Sequence, residues 1–244
     1  MSAIELLYGV NTAEEILKAG RRRVLRLVIS RAESNPRIKA LAGLARTNGV
    51  TVEFCDPRVL EKLAAGAHHQ GVIIEAEAPR KVDVDWALGA EKDLKKTVWA
   101  GLDGITDPMN LGAIIRSAAC LGVSTVILPE RRSATLTPTA QKAAAGAVER
   151  VNVVEVVNLN QTIIKLKEKG FWVYGLAMDG KPLPQVDFTL PAFILIGSEG
   201  EGLHQKTREH CDEVVAIPQK GGVESLNASN AAAVVFYELS KKIQ

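Results

Sequence analysis

From residue 97 onward, apolar residues fall into short, unbroken runs separated by longer amphipathic stretches. An unbroken apolar run is typical of a strand that is buried on both faces of a parallel sheet. Most of the stretches between the runs have helical spacing, and a last helix is predicted from near Ser225 to Lys241. The pattern therefore predicts a mostly parallel α/β fold with strands at about residues 97–102, 123–128, 151–156, 171–177, 192–197 and 213–217.

The N-terminal part of the chain alternates in the same way over shorter segments. Thr12 and Glu15 have the spacing of a capping box, which predicts a short helix that begins there and ends near Gly20. Such alternation of helix and strand predicts a second, smaller α/β unit. Its strands are predicted at about residues 24–29, 50–54 and 71–76, and its later helices at 36–47 and 57–64.

Residues 79–96 are strongly charged and less regular than the segments on either side. This composition predicts an interdomain linker with about one helical turn. We therefore expect a small domain at residues 1–78, a linker at 79–96 and a larger domain at 97–244.

Composition limits the functions that the chain can have. No apolar run approaches the ~20 residues needed to cross a bilayer, and no secretory signal is visible, so we expect a cytoplasmic protein without a membrane partner. The three cysteines are far apart and odd in number, which suits a reducing compartment. Neither the cysteines nor the four histidines have the spacing of metal ligands, so no metal is predicted.

Positive charge is concentrated near the N-terminus, although the net charge of the whole chain is only +2. Such an asymmetry indicates an anionic partner, of which nucleic acid is one class. A solvated basic face is the alternative that the sequence leaves open. The residues predicted to follow RNA phosphates are Arg21, Arg22, Arg23, Arg26 and Arg37.

The stretch from Asp107 to Gly122 is the first of three clusters with chemical interest. Asp107 is a plausible N-cap and Pro108 suits the first helical position, while Gly122 can end the helix in the left-handed conformation. The apolar residues of this helix form one stripe, and Arg116 lies off it. Arg116 is therefore free to face a groove or a partner, although a solvated arginine would have the same pattern.

The second cluster is a glycine-dense turn after an apolar strand, from Gly197 to Leu203. It differs from the dinucleotide-binding fingerprint because Glu199 occupies the position of the second glycine. The third cluster begins at the end of the last strand and runs from Ala216 to Ala233. Its small residues predict a final helix that packs closely against the sheet or against another chain.

Taken together, the three clusters resemble the three motifs of the SpoU/TrmH family. They read Asp-Pro-x-Asn-Leu-Gly from Asp107, Gly-x-Glu-Gly-x-Gly-Leu from Gly197, and Ile-Pro-x-x-Gly-x-x-x-Ser-Leu-Asn from Ile217. The resemblance implies a SPOUT-type domain with a trefoil knot, S-adenosyl-L-methionine as cofactor, and methylation of an RNA ribose 2′-hydroxyl. It also implies a homodimer with the final helix at its interface.

The N-terminal segment extends the resemblance. Tyr8-Gly9-Val10-Asn11 and His69-Gln70-Gly71-Val72 are similar to motifs of the ribosomal-protein-like substrate-binding domain found in one branch of this family. That branch methylates a guanosine ribose in large-subunit ribosomal RNA. Gln219 and Asn230 depart from the commonest pattern of the third motif, at positions to which no chemistry is assigned.

The family motifs imply roles for particular residues. The residues implied in catalysis are Asn110, Arg116, Glu199, Ser225 and Asn227. The residues implied in cofactor binding, largely through main-chain groups, are Leu176, Ala177, Gly197, Ser198, Gly200, Ile217, Pro218 and Leu226.

Arg116 is often proposed as the base in this family, but an arginine pKa above about 12 makes proton removal costly. Our hypothesis is that Arg116 mainly holds a phosphate or the developing alkoxide. The alternatives are a tRNA ribose methyltransferase, a non-catalytic RNA-binding protein that retains the fold, and a nucleotide-dependent oxidoreductase, against which the missing fingerprint argues.

Overall fold

The computed structural model describes residues 3–32, 35–221 and 225–243. The strands are β1 (Ile4–Tyr8), β2 (Val24–Ser30), β3 (Thr51–Cys55), β4 (Val72–Glu77), β5 (Val98–Asp103), β6 (Thr125–Pro129), β7 (Asn152–Val156), β8 (Trp172–Pro182), β9 (Ala192–Gly197) and β10 (Glu213–Ala216). The helices are α1 (Val10–Ala19), α2 (Pro36–Thr47), α3 (Pro57–Ala64), α4 (Val84–Ala90), α5 (Pro108–Cys120), α6 (Pro138–Ala143), α7 (Leu159–Glu168), α8 (Gln205–Glu209) and α9 (Ala228–Ser240).

Contacts divide the chain into two compact units. The first unit consists of Met1–Arg80 together with Leu136–Arg150, and the second of Lys81–Thr135 together with Val151–Gln244. A segment between β6 and β7 therefore belongs with the N-terminal unit, which chain order alone does not indicate. The predicted domain limits at residues 78 and 96 stay predictions.

The first unit is built on a four-stranded sheet with the order β1-β4-β2-β3. β4 pairs antiparallel with β1 and β2, whereas β2 and β3 are parallel. α1 and α2 cover one face of the sheet around Leu7, Leu27 and Ile74, which are buried. α3 covers part of the other face through Leu60 and Ala64.

The predicted capping box at Thr12 is wrong, because α1 begins at Val10 and Thr12 lies buried inside it. Gly9 precedes the helix with φ +96° and offers no side-chain cap. The backbone N–H of Val10 instead donates to Oε1 of Gln70 over 3.4 Å. A Cβ on Gly9 would lie 2.9 Å from the same oxygen, so glycine leaves room for this contact. The contact between the motif at residues 8–11 and the motif at residues 69–72 thus caps the start of α1.

Arg22 joins the segment Leu136–Arg150 to the rest of the first unit. Its guanidinium is buried and donates to the buried carboxylate of Glu149 and, over 3.2 Å, to Oε1 of Gln141. It also donates to the Glu5 carboxylate over 3.4 Å. A buried charge is tolerated only with such partners, so this network fixes the segment in place.

The second unit is built on a six-stranded sheet with the order β10-β8-β9-β5-β6-β7, in which all neighbouring strands are parallel. This confirms the predicted α/β class. Its core includes the buried rings of Trp99, Phe171 and Phe193. Residues 79–96 are more regular than a linker requires, since they contain α4, whose Val84 and Ala87 are buried in this core.

α5 follows β5 with the geometry that its sequence predicts. The Asp107 carboxylate accepts a hydrogen bond from the Met109 backbone over 2.9 Å, and Gly122 beyond the helix has φ +83°. Leu111, Ile114, Ile115 and Ala118 are buried as one stripe, and α5 packs against α9. In the described ranges, no helix has both the length and the apolar character needed to cross a membrane.

Candidate active site

The second half of β8 and the loops that follow β9 and β10 surround one cavity of about 420 Å³ in the second unit. These three strands are parallel neighbours or next neighbours, so their carboxyl ends meet at one edge of the sheet. Ligands of open α/β sheets bind at this edge. The predicted cofactor residues that line the cavity are Leu176, Ala177, Gly197, Ser198, Gly200, Ile217 and Leu226, whereas Pro218 is not among its lining residues.

The glycine-dense turn forms one wall of this cavity and is closed by its own backbone. Ser198 and Gly202 exchange two backbone hydrogen bonds of 3.0 Å each. A Cβ on Gly197 would lie 2.1 Å from the carbonyl carbon of Gly202, so the turn itself demands glycine there. Gly200 has φ +94°, and a Cβ on it would meet no atom within 4 Å, so this residue presents open backbone at the turn.

Three of the five predicted catalytic residues meet in a hydrogen-bonded cluster, which we call the amide–carboxylate cluster: Asn110, Glu199 and Asn227. Nδ2 of Asn110 donates to Oε1 of Glu199 over 3.0 Å. Nδ2 of Asn227 donates to the same oxygen and, over 2.9 Å, to Oδ1 of Asn110. Residues from all three sequence motifs therefore hold one another in fixed positions.

Local structure explains how each member reaches the cluster. Asn110 lies in the first turn of α5, and Glu199 lies in the turn after β9. Asn227 is the N-cap of α9, where its Oδ1 accepts from the backbone of Ser229 over 2.9 Å. The backbone N–H of Ala228 also donates to Glu199 over 3.4 Å, which places the carboxylate at the positive end of α9.

Ser225 and Arg116 are the other two predicted catalytic residues. Ser225 lines the cavity, and the preceding residues 222–224 of the third motif lie outside the described residues. Arg116 is exposed on α5, away from its buried stripe, and has no hydrogen bond or ion pair with any residue that the structure describes. The described contacts do not bring Arg116 to the cluster, so its catalytic role stays a prediction.

The five arginines predicted to follow RNA phosphates differ in burial and in the ion pairs that they already form. The prediction that Arg22 follows RNA phosphates is wrong, because its guanidinium is buried among Glu149, Gln141 and Glu5 and has no surface for a phosphate. Arg21 donates to the backbone oxygen of Glu149 over 3.0 Å.

The remaining three arginines of that set are all less buried than Arg22. Arg26 pairs with Glu75 at 2.5 Å and Glu53 at 2.9 Å, and the hydrogen bond that it donates to the Glu75 carboxylate raises the pKa of its guanidinium. Arg37 pairs with Glu14 at 2.7 Å, and Arg23 is exposed without an ion pair among the described residues. Charge counting could not show that carboxylates already neutralise most of this set.

Sequence reasoning missed an ion pair in the cavity wall. Asp179, in β8, and Arg208, in α8, both line the cavity. Two parallel hydrogen bonds of 2.9 and 2.7 Å join the guanidinium to the carboxylate. The hydrogen bond from Arg208 lowers the pKa of Asp179. Neither residue belongs to a recognised motif, so no signal in the sequence singles them out.

Two further observations concern metal ligands and the Cys211 thiol. The described residues contain no group of three or more histidine, cysteine, aspartate or glutamate side chains arranged to hold a metal ion. Burial raises the pKa of the Cys211 thiol to about 11, so this cysteine is protonated at neutral pH and is a poor nucleophile.

Comparison with known proteins gives a consistent result for both units. Residues 98–237 match the SpoU rRNA Methylase family, and residues 6–82 match the domain described as RNA 2′-O ribose methyltransferase substrate binding. The chain is 39% identical over 241 residues to the 23S rRNA (guanosine-2′-O-)-methyltransferase RlmB of Pseudomonas syringae pv. tomato, covering 98% of this chain and 96% of that protein. The Escherichia coli protein of the same name is 35% identical over 235 residues, covering 96% of this chain and 97% of that protein.

Solved structures agree with the sequence matches. The SpoU methyltransferase AviRb from Streptomyces viridochromogenes, crystallised with AdoMet, has a TM-score of 0.81 and 26% identity, and the match covers 98% of this chain and 90% of that chain. A crystal structure of an RNA 2′-O ribose methyltransferase has a TM-score of 0.83 at 21% identity, which shows the shared fold. The chain therefore belongs to the SpoU rRNA methylase family and is an RNA 2′-O-ribose methyltransferase.

Proposed function

We propose that this enzyme transfers a methyl group from S-adenosylmethionine to the ribose 2′-hydroxyl of a guanosine in large-subunit ribosomal RNA. The observation that carries the proposal is the amide–carboxylate cluster, in which three separate motifs are hydrogen-bonded together beside a cavity. The names of the Pseudomonas and Escherichia relatives support the nucleotide and the RNA class. A ribosomal RNA substrate also supports the predicted cytoplasmic location.

The cavity fits the predicted cofactor in size and in chemistry. A volume of about 420 Å³ lies in the range of small-molecule sites, which are mostly apolar with a few well-placed polar groups. Leu176, Ile196 and Leu226 supply apolar walls, and the turn around Gly200 supplies backbone groups. S-adenosylmethionine supplies a methyl group that is already activated by its sulfonium. The family's trefoil knot remains part of this proposal.

The residues of this chain are left to position the ribose and to stabilise charge. When bound, the cofactor would supply its methyl carbon to the ribose 2′-oxygen, the electrons of the broken carbon–sulfur bond would stay on sulfur, and the hydroxyl proton would leave to solvent. Alignment of the two reacting atoms supplies much of the rate in such a transfer. Glu199 holds both asparagines, so their amide groups are pre-organised to orient the hydroxyl. Arg116 stabilises the negative charge that develops on oxygen.

A direct test compares RNA substrates. We expect purified protein with labelled S-adenosylmethionine to methylate a guanosine ribose in large-subunit ribosomal RNA, and Asn110→Ala to lose at least about 10²-fold in rate, as for other lost positioning groups. Ribose-methylation mapping of the product RNA is the measurement.

Other outcomes of this experiment would favour the alternatives. Label that enters tRNA and not ribosomal RNA would support the tRNA methyltransferase. Cofactor binding without transfer to any RNA would support the non-catalytic RNA-binding protein.

We also propose that the enzyme is a homodimer. On α9, Val234 and Tyr237 are exposed apolar residues, and on α5 Met109 is exposed as well. α5 and α9 pack together. A second copy that covers the exposed sides of these two helices would therefore bury both of them. Met109 and Arg116 are separated by two helical turns and share a face of α5. Arg116 would thus lie at the dimer interface, where it could act on the ribose bound to the partner subunit.

The dimer proposal predicts the effect of a charge on α9. Tyr237→Asp should give a monomer at micromolar concentration, because a buried unpaired carboxylate destabilises an interface. The matched control is Val157→Asp, at an exposed apolar residue outside α5 and α9, which should remain dimeric. Sedimentation velocity measures both, and a wild-type monomer would contradict the proposal.

A further inference from the structure

The Asp179–Arg208 ion pair has no part in the roles described so far, although both side chains line the cavity. Asp179 belongs to β8, shortly after Leu176 and Ala177, and Arg208 belongs to the short helix α8. The pair therefore joins two different walls of the cavity. Its side chains are 68% and 40% exposed, which places the pair at the open rim.

The other charged side chains of the lining have a different character. Glu199 already accepts hydrogen bonds from Asn110 and Asn227 in the amide–carboxylate cluster. Glu201 is a single exposed carboxylate in the turn after β9. Arg208 is thus the one cation among the lining residues that the structure describes, and Asp179 is the carboxylate paired with it.

A paired aspartate and arginine are complementary to an α-amino acid group, which carries an ammonium and a carboxylate at neutral pH. The guanidinium of arginine binds carboxylates through two parallel hydrogen bonds, and a carboxylate accepts from an ammonium. An ion pair this exposed contributes little to stability, so exchanging its partners for those of a ligand is easy.

We infer that Asp179 and Arg208 bind the amino-acid end of S-adenosylmethionine, with Arg208 on its carboxylate and Asp179 on its ammonium. The inference rests on the proposed function, since it takes the cavity as the cofactor site. The adenosine part then occupies the deeper cavity near Leu176 and Ile217, and the rim residues fix the orientation of the sulfonium substituents.

Two nucleosides separate this role from a general effect on the fold. S-adenosylhomocysteine carries the amino-acid end, whereas 5′-methylthioadenosine lacks it. Isothermal titration calorimetry on the full chain should show that Asp179→Asn and Arg208→Met each lower the affinity for S-adenosylhomocysteine by at least about 10-fold. This is the loss that a missing charge-assisted hydrogen bond predicts. Binding of 5′-methylthioadenosine should stay within about twofold, and Arg208→Lys should restore part of the lost affinity.

The chain offers a closely matched control. Lys165 and Asp85 form an ion pair of 2.7 Å with 39% and 72% exposed side chains, almost the values of the rim pair, but neither residue lines the cavity. Lys165→Met should therefore leave the binding of both nucleosides unchanged.

The remaining results would overturn the inference. Equal losses of affinity for the two nucleosides in Asp179→Asn and Arg208→Met would assign the pair a structural role. Unchanged affinity for both nucleosides would show that the pair does not contact the ligand. Wild-type protein that binds neither nucleoside would overturn the cofactor cavity itself, which is how failure of the proposed function would be recognised.

Discussion

Arg116→Ala is expected to abolish methyl transfer while cofactor affinity changes by no more than a few fold. Arg116 is exposed on α5 and is not among the residues that line the cavity, so its removal should leave the nucleoside site intact. A lost cation at the developing alkoxide lowers the rate by about 10²–10³-fold or more. Single-turnover transfer to RNA and calorimetric binding of S-adenosylhomocysteine are the two measurements.

The control for this variant lies on the same helix. Cys120→Ala changes another exposed residue of α5 and should retain the wild-type rate. Near-normal turnover of Arg116→Ala would contradict the assignment, and an equal loss in both variants would indicate a disturbed helix rather than a lost charge.

Arg22→Ala is expected to lower the free energy of unfolding by about 3–5 kcal/mol, because it leaves the buried Glu149 carboxylate without its partner. Replacing both residues by apolar ones, as in Arg22→Met with Glu149→Leu, should recover most of that loss. Urea unfolding followed by circular dichroism measures the change.

A second arginine of the same segment provides the comparison. Arg26 pairs with Glu75 and Glu53 nearer the surface, so Arg26→Ala should cost no more than about 1 kcal/mol. Equal losses in the free energy of unfolding for Arg22→Ala and Arg26→Ala would show that the burial of the Arg22 network does not raise the cost of breaking it.

Local sequence signals predicted the second unit well. The strand pattern depends on neighbouring residues, and so does the N-cap at Asp107, whose partner Met109 is two residues away. The apolar runs are unbroken because the strands are parallel and covered on both faces. Family motifs added Asn110, Glu199 and Asn227, whose contact no propensity could indicate because it joins residues 28 to 117 positions apart.

Long-range contacts account for what the sequence could not show. Thr12 and Glu15 fit a capping box, but Gln70 supplies the oxygen from 60 positions away. Arg22 belongs to a basic run that is typical of a surface, yet its partners Gln141 and Glu149 lie 119 and 127 positions later. The rim pair of Asp179 and Arg208 depends in the same way on two elements that meet only in the fold.

The segment Leu136–Arg150 also decides how this enzyme can be recombined with its relatives. The polypeptide passes between the two units at three points, near residues 80, 135 and 150. A chimera spliced only near residue 80 takes Arg22 and Glu149 from different parents, and Glu149 loses its buried partner wherever the other parent lacks an arginine at this position. Successful exchange of specificity between family members will therefore need two grafts from one parent, the leading 80 residues and the inserted helix α6 with its flanks.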